Sequence, residues 1–252
     1  MPKFKEVRPI ELNTIYNEDC LEGMKRIPDK SVDMILCDLP YGTTACKWDT
    51  IIPFEPLWEQ YERVIKDNGA IVLTAAQPFA SALIMSNPKI FKYQWVWYKN
   101  LRTGFAQAKR QPMKAHELIL VFYKRPPVYN PIKVKRTTQK AGNKTKKFGE
   151  VYNNVSYEVN KDNQSDYINP HDVLEIKCIH GTEKRYHNTQ KPVTLFEYLI
   201  KTYTNEGETV LDNCMGSGTT AIACLNTNRN FIGFELDETY YNLSLQRIAE
   251  VK

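Results

Sequence analysis

Two short apolar runs, each ending in an unusual turn, constrain the fold of this chain more than anything else in it. Val32-Asp33-Met34-Ile35-Leu36-Cys37 leads into Asp38-Leu39-Pro40-Tyr41. Far later, Thr209-Val210-Leu211 leads into Asp212-Asn213-Cys214-Met215-Gly216-Ser217-Gly218-Thr219-Thr220. Short apolar runs bounded by turn residues read as buried strands, so both turns should sit at strand C-terminal ends, where open α/β sheets place their ligands. The second turn is glycine-rich and runs into a helix-like stretch, which lets its backbone approach a ligand at a helix N-terminus.

The rest of the chain alternates in the same way. A strand over residues 14–19 and a helix over 20–26 precede the first run, an order that indicates a parallel sheet. Leu57, Trp58, Tyr61, Val64 and Ile65 recur at helical spacing and predict a helix over 55–67; Asn68-Gly69 should stop it before a strand over 70–74. Strands are expected over 93–98 and 117–123, joined by a polar loop. From Arg125-Pro126-Pro127 to about residue 185 the chain is rich in lysine, asparagine and tyrosine and shows no clear period. Such a stretch inside a compact domain suggests a functional insert. A helix over 193–204, the glycine-rich turn, a strand over 231–235 and a terminal helix complete the chain. The expected divisions are residues 1–128, an insert over 129–185, and 186–252, in an α/β architecture with a mostly parallel twisted sheet and helices on both faces.

With 252 residues, 42% of them hydrophobic, the chain can bury roughly 70 to 75% of its unfolded surface without disulfides. Its six cysteines include no C-x-x-C pair, so they read as reduced thiols and no metal is expected. Met1 to Glu6 lack an apolar leader core and no long apolar span appears, from which a cytoplasmic protein that avoids the membrane is expected. Net charge is only +5, but residues 133–147 hold six lysines and one arginine and no acid. A solvated loop and a phosphate-contacting arm both suit that run.

The pairing of Asp38-Leu39-Pro40-Tyr41 with the glycine-rich turn resembles the amino-methyltransferases that use S-adenosylmethionine to methylate the exocyclic nitrogen of adenine or cytosine in DNA, in the order with the catalytic motif first. The resemblance covers most of the chain outside residues 129–185 and implies a Rossmann-like methyltransferase fold. It assigns catalysis to Asp38, Leu39, Pro40 and Tyr41: the Asp38 carboxylate and the Leu39 carbonyl accept the two amine protons as positive charge develops on nitrogen. Pro40 biases Leu39 toward an extended backbone, and Tyr41 stacks on a base extruded from the duplex. Asp in first position resembles the adenine enzymes, whereas Ser is more typical of cytosine-N4 enzymes.

The same resemblance assigns the cofactor to Asp212, Cys214, Gly216, Ser217, Gly218 and Thr219. Asp19 would take its adenine amine, Glu235 its ribose hydroxyls, and His187-Asn188-Thr189-Gln190-Lys191, with Asp212, its methionine end. The family usually carries Pro and Phe where this chain has Asn213 and Cys214, and Phe234 is expected to supply part of the lost apolar contact. Lys109, Arg110, Lys133, Lys135, Arg136, Lys144, Lys146 and Lys147 are candidates for double-stranded DNA. His116-Glu117 is expected to be structural. The resemblance also raises a homodimer and a companion restriction endonuclease as partners. Cytosine N4 in DNA and adenine N6 in RNA remain alternative substrates, and a module that binds nucleic acid without catalysis is the alternative of another class.

Overall fold

A computed structural model of the protein describes residues 9–43, 49–136, 166–178 and 190–251. An eight-stranded sheet forms its centre, in the order β1-β10-β9-β2-β3-β5-β4-β8. The strands are β1 (Thr14–Tyr16), β2 (Val32–Cys37), β3 (Ile65–Ala75), β4 (Phe91–Thr103), β5 (Lys114–Phe122), β8 (Val173–Glu175), β9 (Thr209–Asp212) and β10 (Asn230–Phe234). All neighbours are parallel except β3 with β5 and β5 with β4.

The order reverses between β2 and β9. From β2 the chain moves one way to β3, and from β9 it moves the other way to β10. Right-handed crossovers then put the two sets of helices on opposite faces. Helices α1 (Cys20–Met24), α2 (Phe54–Val64) and α3 (Phe79–Ser86) share one apolar cluster with Ile35, Cys37, Ile71, Leu73 and Leu120. Helices α4 (Val193–Tyr203), α5 (Thr219–Asn226) and α6 (Glu238–Val251) share the other with Met34, Leu36, Val72 and Val121. The alternation of adjacent β2 residues between the clusters is the two-residue period of a strand buried on both faces. The reversal leaves a crevice beyond the C-terminal ends of β2 and β9, and both motif turns open into it.

Several boundaries differ from expectation. Helix α2 ends at Val64 because Ile65 already pairs with Val32, and the next pair is Met34 with Ala70. Asn68-Gly69 is thus an irregularity inside β3 rather than a helix stop. Helix α3 has no counterpart in the sequence reading. A second compact unit is Pro131–His171, narrower than residues 129–185, because Val173-Leu174-Glu175 joins the sheet beside β4 and buries Leu174. In that unit, β6 (Val134–Lys135) pairs antiparallel with β7 (Tyr167–Ile168). No described helix is long and apolar enough to cross a membrane.

Candidate active site

The crevice is a cavity of about 860 Å³ lined by residues of both motifs, among them Asp38, Leu39, Pro40, Tyr41, Asp212, Cys214 and Gly216. Asp38 follows the last residue of β2. Its Oδ1 accepts hydrogen bonds from the Tyr41 hydroxyl at 2.8 Å and from the Thr74 hydroxyl of β3, and its Oδ2 accepts from the Lys191 ammonium at 2.6 Å. Tyr41 stacks on Phe79 with ring centroids 5.2 Å apart. Burial, then the nearby charges of Asp38 and Glu117, push its phenol well above the ordinary range, so it stays a neutral donor.

Lys191 was expected at the methionine end of the cofactor, and the structure places its ammonium on Asp38 instead. The side chain is 7% exposed and lies 2.6 Å from Asp38 Oδ2 and 3.5 Å from Glu117 Oε2. Burial alone would depress its pKa, but the two carboxylates outweigh that and raise it. Glu117, expected to be structural, lines the cavity, and its Oε1 accepts from Lys99 at 2.6 Å. Burial pushes its carboxyl up, and Lys191 and Lys99 together bring it below its usual range. Lys99 is itself buried and faces this network, not the loop. The four groups form a balanced set of two cations and two anions, the form in which buried charge is tolerated. Asp38 and Lys191 stand in motifs that the sequence signals, whereas Glu117 shows there only as an acid opening a buried strand.

At the other end, Asp212 closes β9. Its oxygens accept from the Cys214 backbone N–H at 3.0 Å and from the Thr220 hydroxyl. Both donors are neutral, and full burial pushes its carboxyl up to about 6. Glu235, just after β10, accepts from the N–H groups of Gly216 at 2.7 Å and Asp237 at 2.9 Å, and burial raises its carboxyl. Gly216 has φ +53°, and a Cβ there would meet no protein atom nearer than 4.0 Å. Its missing side chain therefore leaves room over the loop instead of relieving a clash. Gly218, with φ +83°, precedes α5, and a Cβ on it would come within 3.0 Å of Ser244. Ser217, Thr219 and Gln190 line the cavity.

Asp19 also lines the cavity, and it caps α1 by accepting from Leu21 N–H at 2.8 Å and Glu22 N–H at 3.2 Å. Phe234 departs from expectation. Its side chain is fully buried, stacks on Tyr16, and packs so closely on α1 that a Cβ on Gly23 would lie 2.2 Å from its ring. It is absent from the cavity wall, because inward side chains alternate along β10 and the position before Glu235 points into the core. Cys214 instead meets other thiols: Asn213 Nδ2 donates to the sulfurs of Cys20 and Cys214, each at 3.5 Å. Donation of its S–H toward Cys20 and Cys37, then burial, pushes the Cys214 thiol up. Asn213 Oδ1 accepts from the Tyr61 hydroxyl, so this polar residue is satisfied in the core. Asp49, which the sequence did not signal, holds the N–H groups of Gly42 and Thr43 at 2.8 and 2.9 Å and fixes the turn after Tyr41.

Lys109 and Arg110 are exposed on the connection between β4 and β5. Lys133 and Lys135 are exposed and Arg136 half-buried in the smaller unit. His187, Asn188, Thr189, Lys144, Lys146 and Lys147 lie outside the described residues. Among the described residues, no group of three or more His, Cys, Asp or Glu side chains could hold a metal ion.

Known proteins resemble this chain in sequence and fold. The type II methyltransferase M1.MboII of Moraxella bovis is 28% identical over 92% of this chain and 95% of its own length. The DNA adenine methyltransferase YhdJ of Escherichia coli strain K12 is 27% identical over 94% of this chain and 83% of its own. The crystal structure of an M1.HpyAVI–SAM complex superposes with a TM-score of 0.64 at 27% identity, covering 93% of this chain and 98% of that one. The cytosine-N4-specific PvuII DNA methyltransferase shares the fold with a TM-score of 0.66 at 14% identity. The N6/N4 methyltransferase family model, described as DNA methylase, matches residues 32–246, and the chain belongs to that family of DNA methyltransferases.

Proposed function

We propose that the protein transfers a methyl group from S-adenosylmethionine to the exocyclic N6 of an adenine extruded from double-stranded DNA. The observation that carries this reading is the convergence of the Asp38 turn and the Asp212–Thr220 turn on one cavity at the reversal of strand order. The adenine assignment rests on Asp rather than Ser at position 38, and a relative named for DNA adenine methylation supports it.

The cofactor end suits a cationic, hydroxyl-bearing ligand. Asp19, Asp212, Glu235 and Asp237 all line the cavity, and Gly216 leaves space above the backbone. When bound, S-adenosylmethionine supplies an electrophilic methyl group. In this assignment Glu235 accepts from the ribose hydroxyls, Asp19 from the adenine amine, and Asp212 and Gln190 hold the methionine end, a role also assigned to His187, Asn188 and Thr189.

Adenine N6 is a weak nucleophile because its lone pair is delocalised into the ring. The Asp38 carboxylate and the Leu39 carbonyl accept hydrogen bonds from its two N–H groups and stabilise the positive charge that grows on nitrogen, which is transition-state electrostatics. Thr74 and Tyr41 fix the carboxylate from its Oδ1 side. Fixed acceptors need no reorganisation during the reaction.

The β4–β5 hairpin supports DNA as the substrate. Ala75, the end of β3, pairs with Leu118, whereas the last hairpin pair is Thr103 with Lys114. Four further residues of β5 carry the hairpin about 13 Å past the strand ends that open into the cavity. Residues 100–116 include four Lys or Arg and no acid, and Phe105 at the tip is 82% exposed. Such a basic arm suits a phosphate backbone. Lys133, Lys135 and Arg136, with Lys144, Lys146 and Lys147, are assigned the same partner. A companion endonuclease and a homodimer are compatible with this role.

The test is incubation of unmethylated DNA with the protein and S-adenosylmethionine, followed by mass spectrometry of the digested nucleosides. N6-methyladenine is expected. N4-methylcytosine would overturn the base assignment, and no modified deoxynucleoside would overturn the substrate.

A further inference from the structure

The Asp38 carboxylate is already engaged. Oδ1 has two hydroxyl donors, and Oδ2 carries the ammonium of a buried lysine at 2.6 Å. An amine that gains positive charge during reaction would have to share Oδ2 with that ammonium, and like charges in a poorly solvated site repel strongly. The lysine has a second place to go. Glu117 Oε2 is buried without a hydrogen-bond partner, and it lies 3.5 Å from Lys191 Nζ, an ion-pair contact outside hydrogen-bond geometry. The other oxygen, Oε1, is held at 2.6 Å by Lys99, which keeps the carboxylate in place. A displacement of about 1 Å would bring the ammonium into a charge-assisted hydrogen bond with Oε2, within reach of a flexible four-carbon stem.

We propose that Lys191 occupies the acceptor site of Asp38 until the target amine arrives and then transfers its hydrogen bond to the unpartnered oxygen of Glu117. Glu117 and Lys99 are thus positioning residues for methyl transfer, and Lys191 keeps Asp38 paired while the site holds no base. The exchange conserves charge. Asp38 loses one cation as it gains a developing one, and Glu117 receives the ammonium it already attracts. This inference rests on the methyltransferase reading of the site.

Glu117→Gln keeps an acceptor for Lys99 and removes the anion that draws Lys191 away. In single turnover at saturating S-adenosylmethionine, on a duplex whose methylated site has been mapped, the rate constant should fall about 100-fold, with the dissociation constants for cofactor and DNA within twofold. The double variant Glu117→Gln/Lys191→Met removes the retained ammonium and should be at least tenfold faster than Glu117→Gln. A double variant no faster than the single one, or a single variant as fast as wild type, overturns the exchange. Should the variants fail to fold, a crystal structure of the wild type with sinefungin and the mapped duplex decides. Nζ is expected within hydrogen-bond distance of Glu117 Oε2 and off Asp38, and Nζ still on Asp38 beside a bound base contradicts the proposal. Failure of the wild type to methylate any DNA would instead reject the reading on which the proposal rests.

Discussion

Asp38 and Asp212 end neighbouring strands of one sheet and open into one cavity, yet they are held in opposite ways. Asp38 has a lysine ammonium and two hydroxyls. Asp212 has a hydroxyl, a backbone N–H and full burial, with no cation among the described residues, and its carboxyl is pushed up to about 6. The strand end delivers an acid to the crevice, and the partners decide what it does. Asp38 is paired with a cation, whereas Asp212 has none beside it among the described residues.

Removing the ammonium is the strongest way to break this contrast. Lys191→Met leaves the half-buried carboxylates of Asp38 and Glu117 short of one cation and should destabilise the protein by up to about 3–5 kcal/mol, visible as a lower denaturant midpoint. An unchanged midpoint would mean that water screens the network.

The next effect comes from Asp212. Because its folded value of about 6 lies above the ordinary 3.8, the folded state holds this proton more tightly than the unfolded one. The stabilisation is complete below about pH 4 and is lost as pH rises through about 6, on the order of 3 kcal/mol. Asp212→Asn should lack that decline in a pH series of chemical unfolding. Affinity for the cationic cofactor should run the other way, growing as pH climbs through about 6 in wild type and staying flat in the variant, by calorimetry. Thr220→Val removes one of the neutral donors to Asp212, should cost about 1–2 kcal/mol, and should move the acidic limb of cofactor binding to higher pH. A limb that moves downward would contradict the role given to the hydroxyl.

The smallest effects belong to the hairpin. Lys109→Ala/Arg110→Ala should weaken DNA binding several-fold and reduce the slope of log affinity against log salt by about 2. An unchanged slope would remove these residues from the phosphate contacts.

The fold was legible where chemistry and period agreed. The run before Asp38 and the run before Asp212 are strands because their residues suit burial on both faces, and the turns that follow are polar or glycine-rich. What escaped has physical causes. Helix α3, Phe-Ala-Ser-Ala-Leu-Ile-Met-Ser, is so evenly apolar that it shows no polar face to give it a period. The start of β3 was hidden because Asn68-Gly69 is turn chemistry used inside an irregular strand. Lys191 was placed by its neighbours in sequence, and its actual partners, Asp38 and Glu117, come from distant strands. Phe234 was displaced by its place in the alternation of β10, a single-residue distinction that a motif cannot carry.

The most direct test of the account is rapid-quench single-turnover methyl transfer by wild type and Asp38→Ala, with S-adenosylmethionine binding measured on both by calorimetry. The account predicts that Asp38→Ala binds the cofactor as wild type does and forms methylated base about 10²–10³-fold more slowly. Equal rates at equal cofactor affinity would show that Asp38 is not the acceptor on which methyl transfer depends.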